Sequence, residues 1–457
     1  MSQSQHAFIY SIPVLASARM PSTTHIACVF IPGKNWKLSL AELISFLQAR
    51  EAKFEISSLS REFFAVSFEE SANALSIADL GGILKIGNVA ATFTTQMLEK
   101  AFLQNSKEAR AQTRRETTPE DLIAEMLGAP CEKTVLFGVS VYCTEESLRP
   151  FSRAIQRFVG SSVKREIAAR GKKSKFMGFP RDREYPQLSP VEVLKKNLIE
   201  NKAEILFCIG KKQTLVSTTA AVHNPFEFQK RDVGKPNQRK IFAISPRLAR
   251  IMVNFASCTS GKVLLDPFCG VGTILQEALL SKAKVVGVDI NPWCVRAAIE
   301  NLEWLKKEYR LKDAEYEVLQ GDVRRLADKI EGKVNCIVTE PDLGPPLRQV
   351  PTAPYAAKVI AKIEPLYKNF LEQAYRTLEK DGRLVLVTPY IRVRSGKPVT
   401  MPIGEKAASL GFKRTHPFRE KVFAEDSKIK ENFAEMASFI DAEKRHKIGR
   451  EIHVFQK

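Results

Sequence analysis

The eight cysteines, at 28, 131, 143, 208, 258, 269, 294 and 336, include no CxxC pair and no regular spacing. Several sit inside apolar runs, such as Cys208 in Ile-Leu-Phe-Cys-Ile and Cys336 in Val-Asn-Cys-Ile-Val. That excludes a disulfide framework and a zinc site, and points to reduced core thiols in a cytoplasmic protein. The six histidines are equally dispersed, so no metal is expected. No apolar run approaches the roughly 18 residues of a membrane-crossing helix, so no membrane partner is expected. The opening segment, MSQSQHAFIYSIPVLASARM, has an apolar patch but no basic leader before it. It reads as a frayed start or a first strand, not a secretory signal. No internal repeat occurs.

What the chain does have is ordinary globular composition, 44% hydrophobic and 26% charged over 457 residues. That is enough for about three domains and rules out a disordered protein. Seventy Lys and Arg against 51 Asp and Glu leave a net charge of +19. Such a surface attracts polyanions, nucleic acid first and anionic membrane second.

Pattern divides the chain into three blocks. In the first, to about residue 95, His25–Ile31 is strand-like and a helical run follows from Leu38 to Arg50. Strands are expected at Phe54–Ile56 and Phe63–Phe68, with a Gly-punctuated strand or hairpin at Gly81–Val89. This alternation suggests a small α+β sandwich.

The second block runs from about 96 to 228. A short helix opens at Thr118-Pro119-Glu120, and Val135–Tyr142 is an apolar strand. A long helix then places Phe151, Ile155, Phe158, Val159, Val163 and Ile167 at spacings of three and four. Its tail carries Lys164, Arg165, Arg170, Lys172, Lys173 and Lys175 against one acid. Such a run is either a solvated face or a set of phosphate contacts. A loop at Met177–Pro186, a helix capped by Ser189-Pro190, and strands near Glu204–Ile209 and Thr214–Thr218 complete the block.

The third block, 229–457, begins at a polar linker, Lys230–Lys240, and alternates strand and helix as a parallel sheet does. Strand Val263–Leu265, a helix from Gly272 to Ser281 and strand Lys284–Asp289 lead to Asn291-Pro292. These cap a helix whose apolar face is Val295, Ala298, Ile299, Leu302 and Leu305. Further strands are expected at Tyr316–Leu319, Val334–Thr339, Arg383–Thr388 and Glu451–Phe455. Trp293 and Trp304 flank the helix after Asp289 and read as packing residues.

The chemistry gathers at strand ends. Asp266-Pro267-Phe268-Cys269-Gly270-Val271-Gly272-Thr273 joins a strand to a helix, where ligands of open α/β sheets bind. Asp289 ends the next strand, placed to accept both hydroxyls of a ribose, and Asp322 ends the third, placed to accept from an adenine amino group. The third glycine of a dinucleotide fingerprint is missing, since Leu275 stands there, so a nucleoside cofactor without phosphates fits better. S-adenosylmethionine is the natural candidate. The fourth strand ends in Thr339-Glu340-Pro341-Asp342-Leu343-Gly344-Pro345-Pro346, a stiff turn whose acid and outward carbonyls suit an exocyclic amino group.

DPFCGVGT, VGVDINP, QGDV and the TEP turn resemble class I methyltransferases that modify exocyclic base nitrogens. The likeness is strongest to the tRNA guanosine-10 N2-methyltransferase family, and extends to Arg231–Pro236, Ser245–Arg250 and, more faintly, Leu80–Gly87 and 191–232. The resemblance implies a ferredoxin-like domain over 1–95, a THUMP-like RNA-binding domain over 96–228 and a seven-stranded Rossmann-like methyltransferase domain over 229–457. It assigns Asp266, Pro267, Gly270, Gly272 and Thr273 to the cofactor loop. Asp289 and Ile290 fall at the ribose, Asp322 and Val323 at the adenine, and Glu340 and Pro341 on the catalytic turn.

The turn also departs from the family's Asp-Pro-Pro-Tyr. Glu340 is one methylene longer than aspartate, Asp342 replaces a proline, and Leu343 stands where an aromatic would stack on a flipped base. The expectation is a monomeric tRNA methyltransferase acting on guanine N2, with the basic tail gripping the RNA and Tyr142, Phe176 and Phe179 near it. An adenine N6-methyltransferase acting on DNA, a catalytically weak RNA-binding protein that keeps the scaffold, and the need for an activator subunit stay open at this stage.

Overall fold

Asn35 accepts from the Leu38 amide and so starts a helix that is buried without interruption from Leu38 to Leu47. A helix buried all round must lie between two layers, and this one does. We describe residues 26–69, 75–128, 134–179, 183–239, 243–419, 436–443 and 446–457 of a computed structural model. The expected start or first strand before residue 26, together with His25, Cys131 and Lys240, lies outside these residues.

The N-terminal half runs β1 (Ile26–Pro32), α1 (Trp36–Gln48), β2 (Phe54–Leu59), β3 (Phe64–Phe68), β4 (Ile83–Thr94), α2 (Thr95–Phe102), α3 (Lys107–Glu116), α4 (Glu120–Gly128), β5 (Thr134–Cys143), α5 (Ser152–Ala169), β6 (Lys173–Phe176), α6 (Pro190–Lys195), β7 (Glu204–Ile209) and β8 (Gln213–Val222). Among the described residues its strands form one sheet, ordered β2-β3-β1-β4-β8-β7-β5-β6. The blocks divided at residue 95 therefore share a sheet, because β8 returns to pair with β4 from Lys85↔Val222 to Thr94↔Gln213.

A buried ionic knot marks that seam. Glu204 of β7 receives the Lys85 ammonium of β4, Ser140 Oγ of β5 at 2.6 Å and Thr219 Oγ1 of β8 at 2.7 Å. Lys85 is 1% exposed and Glu204 fully buried. Removing one partner of such a pair costs about 3–5 kcal/mol, because a charge is left without compensation.

The C-terminal half runs α7 (Pro225–Val233), α8 (Pro246–Phe255), β9 (Val263–Asp266), α9 (Thr273–Leu280), β10 (Lys284–Asp289), α10 (Pro292–Tyr309), β11 (Tyr316–Gln320), α11 (Leu326–Lys329), β12 (Val334–Thr339), α12 (Ala353–Thr377), β13 (Leu378–Ile391), β14 (Val399–Thr400), α13 (Ile403–Ser409), β15 (Lys413–Arg414), β16 (Phe439–Asp441) and β17 (Ile448–Gln456). The main sheet is ordered β11-β10-β9-β12-β13-β17-β15. This is the Rossmann-like order expected, with one correction. β9 to β13 are parallel, but β17 runs antiparallel between β13 and β15. β9 has β10 on one side and β12 on the other, so the order reverses there, where open α/β sheets bind ligands.

Two further corrections concern single segments. The expected polar linker begins as helix: α7 runs through Val233, and the Arg231 and Lys235 side chains are buried. Trp293 is 43% exposed at the start of α10 instead of packed, whereas Trp304 packs against the core as expected.

The two halves are joined along α1 and α8. One apolar cluster contains Leu43, Ile44 and Leu47 of α1, Met252 and Phe255 of α8, and Leu275 and Leu279 of α9. Within it, Arg247 Nε donates to the Gly81 carbonyl at 2.8 Å. A Cβ at Gly81 would come within 2.2 Å of the Arg247 carbonyl oxygen, so only glycine lets the segments approach so closely.

Candidate functional site

Gly270 and Gly272 have φ of 52° and 83°, the left-handed region that glycine enters without strain. Their turn brings the chain from β9 into α9 and exposes backbone at the crevice. Gly272 precedes the first residue of α9, and a Cβ there would meet Ala298 of α10 at 3.3 Å.

The loop is anchored from three sides. Asp289, at the end of β10, accepts from Gly270 N at 2.9 Å on one oxygen and from Asn291 N at 2.8 Å on the other. Buried Asn301 donates to the Val271 carbonyl at 2.8 Å and exchanges two hydrogen bonds with the Asn237 backbone. Lys235 Nζ donates to Thr273 Oγ1 at 2.9 Å. Behind α9, Glu277 accepts from Arg231 Nε at 2.6 Å and from Arg250 Nη2 at 2.8 Å, all three being buried. The segment between the halves is thus bolted to the underside of the loop.

Asp266 lies beneath the crevice. It is 1% exposed and accepts from Thr339 Oγ1 at 2.7 Å and Phe268 N at 3.2 Å, bracing the end of β9 against that of β12. Burial pushes its carboxyl up to about 7; the Thr339 and Phe268 hydrogen bonds oppose the shift, while the nearby Asp289 and Glu340 carboxylates reinforce it. Pro267 and Thr273 are likewise buried. Ile290 is 66% exposed directly after Asp289, and with Trp293 gives the mouth an apolar rim.

Asp322, after β11, caps the next turn by accepting from Arg324 N at 2.9 Å, and its oxygens also accept from Arg324 Nε. That guanidinium holds its carboxyl below the usual range. Val323 beside it is buried.

On the other side of the switch point, β12 delivers Glu340 and Pro341. Glu340 is held by Arg450 of β17, whose Nε and Nη2 each donate to one carboxylate oxygen, the second at 3.1 Å. Tyr367 Oη of α12 donates to the Asp342 carbonyl at 3.0 Å, and Leu343 is 5% exposed within the core. Asp289, the glycine turn and Glu340 therefore stand at the carboxyl edge of adjacent strands.

Sequence reasoning missed Arg450, Asn301 and Tyr367. None carries a local signal, since each matters through a partner at least 25 positions away. It also missed Arg239, which is exposed and 3.9 Å from where a Cβ on Gly270 would lie. A cleft of about 770 Å³ opens at the opposite edge of the sheet, lined by Lys53, Lys262, Asn335, Asp381 and Arg383 among others. It is remote from the strand ends that carry the expected chemistry.

Lys164, Arg165, Arg170, Lys172, Lys173 and Lys175 are all exposed. The helix ends at Ala169, so Lys173 and Lys175 lie on β6, the edge strand beside β5. Lys172 Nζ donates to the Leu127 carbonyl at 3.1 Å. Tyr142 is buried, Phe176 packs over Gly160 and against Phe137, and Phe179 stands 5.5 Å from the Arg183 guanidinium. Among the described residues no group of three or more His, Cys, Asp or Glu is placed to hold a metal, and no helix is long and apolar enough to cross a membrane.

Residues 236–393 match the UPF0020 family, described as RMKL-like, methyltransferase domain. The chain is 36% identical over 159 residues to the tRNA (guanine(10)-N2)-dimethyltransferase of Methanothermobacter thermautotrophicus, covering 34% of this chain and 42% of that one. It is 32% identical over 148 residues to a probable tRNA (guanine(10)-N2)-dimethyltransferase of Methanothermococcus thermolithotrophicus, covering 31% of this chain and 79% of the relative. Among solved structures, TrmN from Thermus thermophilus aligns over 95% of this chain and 100% of its own at 14% identity, with a TM-score of 0.48. The chain spans 42% to 54% of the length of the first curated relatives it matches. With the glycine turn, the strand-end acids and the reversal of strand order already in place, the chain belongs to the tRNA (guanine(10)-N2)-dimethyltransferase family.

Proposed function

We propose that this chain transfers a methyl group from S-adenosylmethionine to the exocyclic N2 of a guanine in tRNA, position 10 by family membership. The observation that carries the reading is the meeting, across the switch point, of the Gly270–Gly272 turn and Asp289 with the Glu340-Pro341 turn. The donor set fits the cofactor. Asp289 keeps free lone pairs for ribose hydroxyls, Ile290 offers an apolar face beside it, and the glycine turn presents bare backbone. Asp322 and Val323, in the turn that follows β11, would face the adenine, and Asp266, Pro267 and Thr273 support the loop from below. When bound, the cofactor supplies an electrophilic methyl on a sulfonium.

Glu340 and the Pro341 carbonyl would accept the two N–H bonds of the target amino group, aiming its nitrogen lone pair. Glu340 would also receive the proton which that nitrogen sheds on becoming bonded to the methyl carbon. Holding the reacting atoms in line is where such a site gains most of its rate.

Residues 1–95, 96–228 and 229–457 would act as ferredoxin-like, THUMP-like and methyltransferase domains of a cytoplasmic monomer. The seven described cysteines are all free and buried, which suits a reducing compartment. Lys164, Arg165, Arg170, Lys172, Lys173 and Lys175 would contact tRNA phosphates and set the distance from grip to methyl donor. The test is to incubate the full chain with labelled S-adenosylmethionine and unmodified tRNA, then identify the nucleoside by mass. N2-methylguanosine is expected, with a loss of at least about a hundredfold for Glu340→Ala. Leu343, buried where an aromatic is expected, favours a second reading as a catalytically weak RNA-binding protein. Cofactor binding without methyl incorporation would select it.

A further inference from the structure

We infer that Arg450 is a positioning residue that makes a glutamate work at the catalytic turn. The inference rests on the reading of Glu340 as the acceptor for the target amino group. Arg450 stands on β17, opposite Pro389 of β13 and Asp441 of β16. It reaches across β13 to the end of β12, where two of its nitrogens engage both oxygens of Glu340. The two side chains are 14% and 8% exposed, so water competes little for either. Arg450 Nη2 also lies 3.5 Å from the Ala243 carbonyl, in the segment that enters α8.

The physical need is specific. A glutamate has one more rotatable bond than an aspartate, and a carboxylate free to sample its rotamers spends little time in the one that serves. A planar guanidinium bonded to both oxygens sets the distance and the plane of the carboxylate together. Each oxygen gives up one lone pair to Arg450 and keeps another, so the carboxylate can still accept an N–H of the base. Asp441, the cross-strand neighbour of Arg450 on β16, adds a second acidic group near the guanidinium. The arrangement also explains why Arg450 sits on a strand antiparallel to β13. β17 starts at the carboxyl edge where β9 to β13 end, so a residue near its beginning lies level with the catalytic turn.

The experiment is a double-mutant cycle on the full chain, reading methyl incorporation into unmodified tRNA and cofactor affinity by calorimetry. Arg450→Gln is expected to lower kcat by about a hundredfold, the penalty for displacing a reacting group by roughly 1 Å, with KM for tRNA and cofactor affinity unchanged. Arg450→Lys keeps the charge without the fork and is expected to recover part of the loss. Arg450→Gln combined with Glu340→Gln is expected to be no slower than Glu340→Gln alone. If the two losses multiply, if Arg450→Gln keeps the parent kcat, or if cofactor affinity falls in step with kcat, the positioning role is wrong. A parent protein that methylates no tRNA overturns the proposed function itself, whereas an active parent with a multiplicative cycle overturns only the role of Arg450.

Discussion

Asn254 of α8 donates its side-chain amide to Glu42 of α1 at 2.8 Å, joining residues 212 positions apart. The same carboxylate accepts from the Gly81 and Gly82 amides at 2.7 Å each. Glu42 is thus the acceptor through which the N-terminal sheet is tied to the C-terminal half. Glutamine offers one acceptor oxygen and turns an NH2 toward these donors. Glu42→Gln should cost about 1–3 kcal/mol for each buried donor left unpaired, read as a lowered denaturant midpoint.

Burial pushes the Asp266 carboxyl up to about 7. In the folded protein it keeps its proton through a range where the unfolded chain, near the ordinary value of 3.8, has released it. The folded state therefore binds more protons between these values, and stability falls as pH rises from about 4 through 7. Asp266→Asn retains an acceptor for Thr339 and cannot ionise. It should flatten this slope and be more stable than the parent at pH 8 relative to pH 5, by on the order of a few kcal/mol. Thermal melts across this range check it; parallel curves would refute the assignment. Glu42, pushed up to about 7 by the same cause, leaves a residual slope of the same sign.

Gly272→Ala should be costly, since the position abuts the buried Ala298 of α10. Its φ of 83° costs an L-residue about 1–2 kcal/mol, and the new methyl must fit 3.3 Å from Ala298. Because α10 carries both Ala298 and Asn301, displacing it also loosens the loop. Weaker cofactor binding together with a lower melting temperature is the expected outcome, measured by calorimetry.

Lys173 and Lys175 occupy an edge strand, where lysines also serve to keep sheets from pairing edge to edge. Salt dependence separates the two roles. If they contact tRNA phosphates, changing both to alanine weakens binding to every tRNA alike and reduces the slope of log affinity against log salt by about 1 per lost contact. An unchanged slope with a new tendency to aggregate would assign them to edge protection.

Much of the C-terminal half was legible in order along the chain. Asn291-Pro292 caps α10, alternating apolar runs form β9, β10 and β12, and acids close those strands, because capping and periodicity act between near neighbours. α12 escaped that reading: Pro365 inside it should break a helix, yet burial of Ile360, Ile363, Tyr367 and Phe370 against the sheet outweighs the local cost. The seam between β4 and β8 escaped it too, since strand pairing depends on a partner supplied about 130 residues later.

By itself, then, the sequence determined most of the elements that form and that Asp289, Asp322 and Glu340 stand at or just past strand ends, since those properties depend on spacing within a few residues. Tertiary structure alone decided that Arg231 and Lys235 leave solvent, that Trp293 enters it, and that Glu340 meets Arg450 from 110 positions away. The reason is physical: burial and ion pairing are set by which surfaces come together, and no local pattern encodes the distant partner.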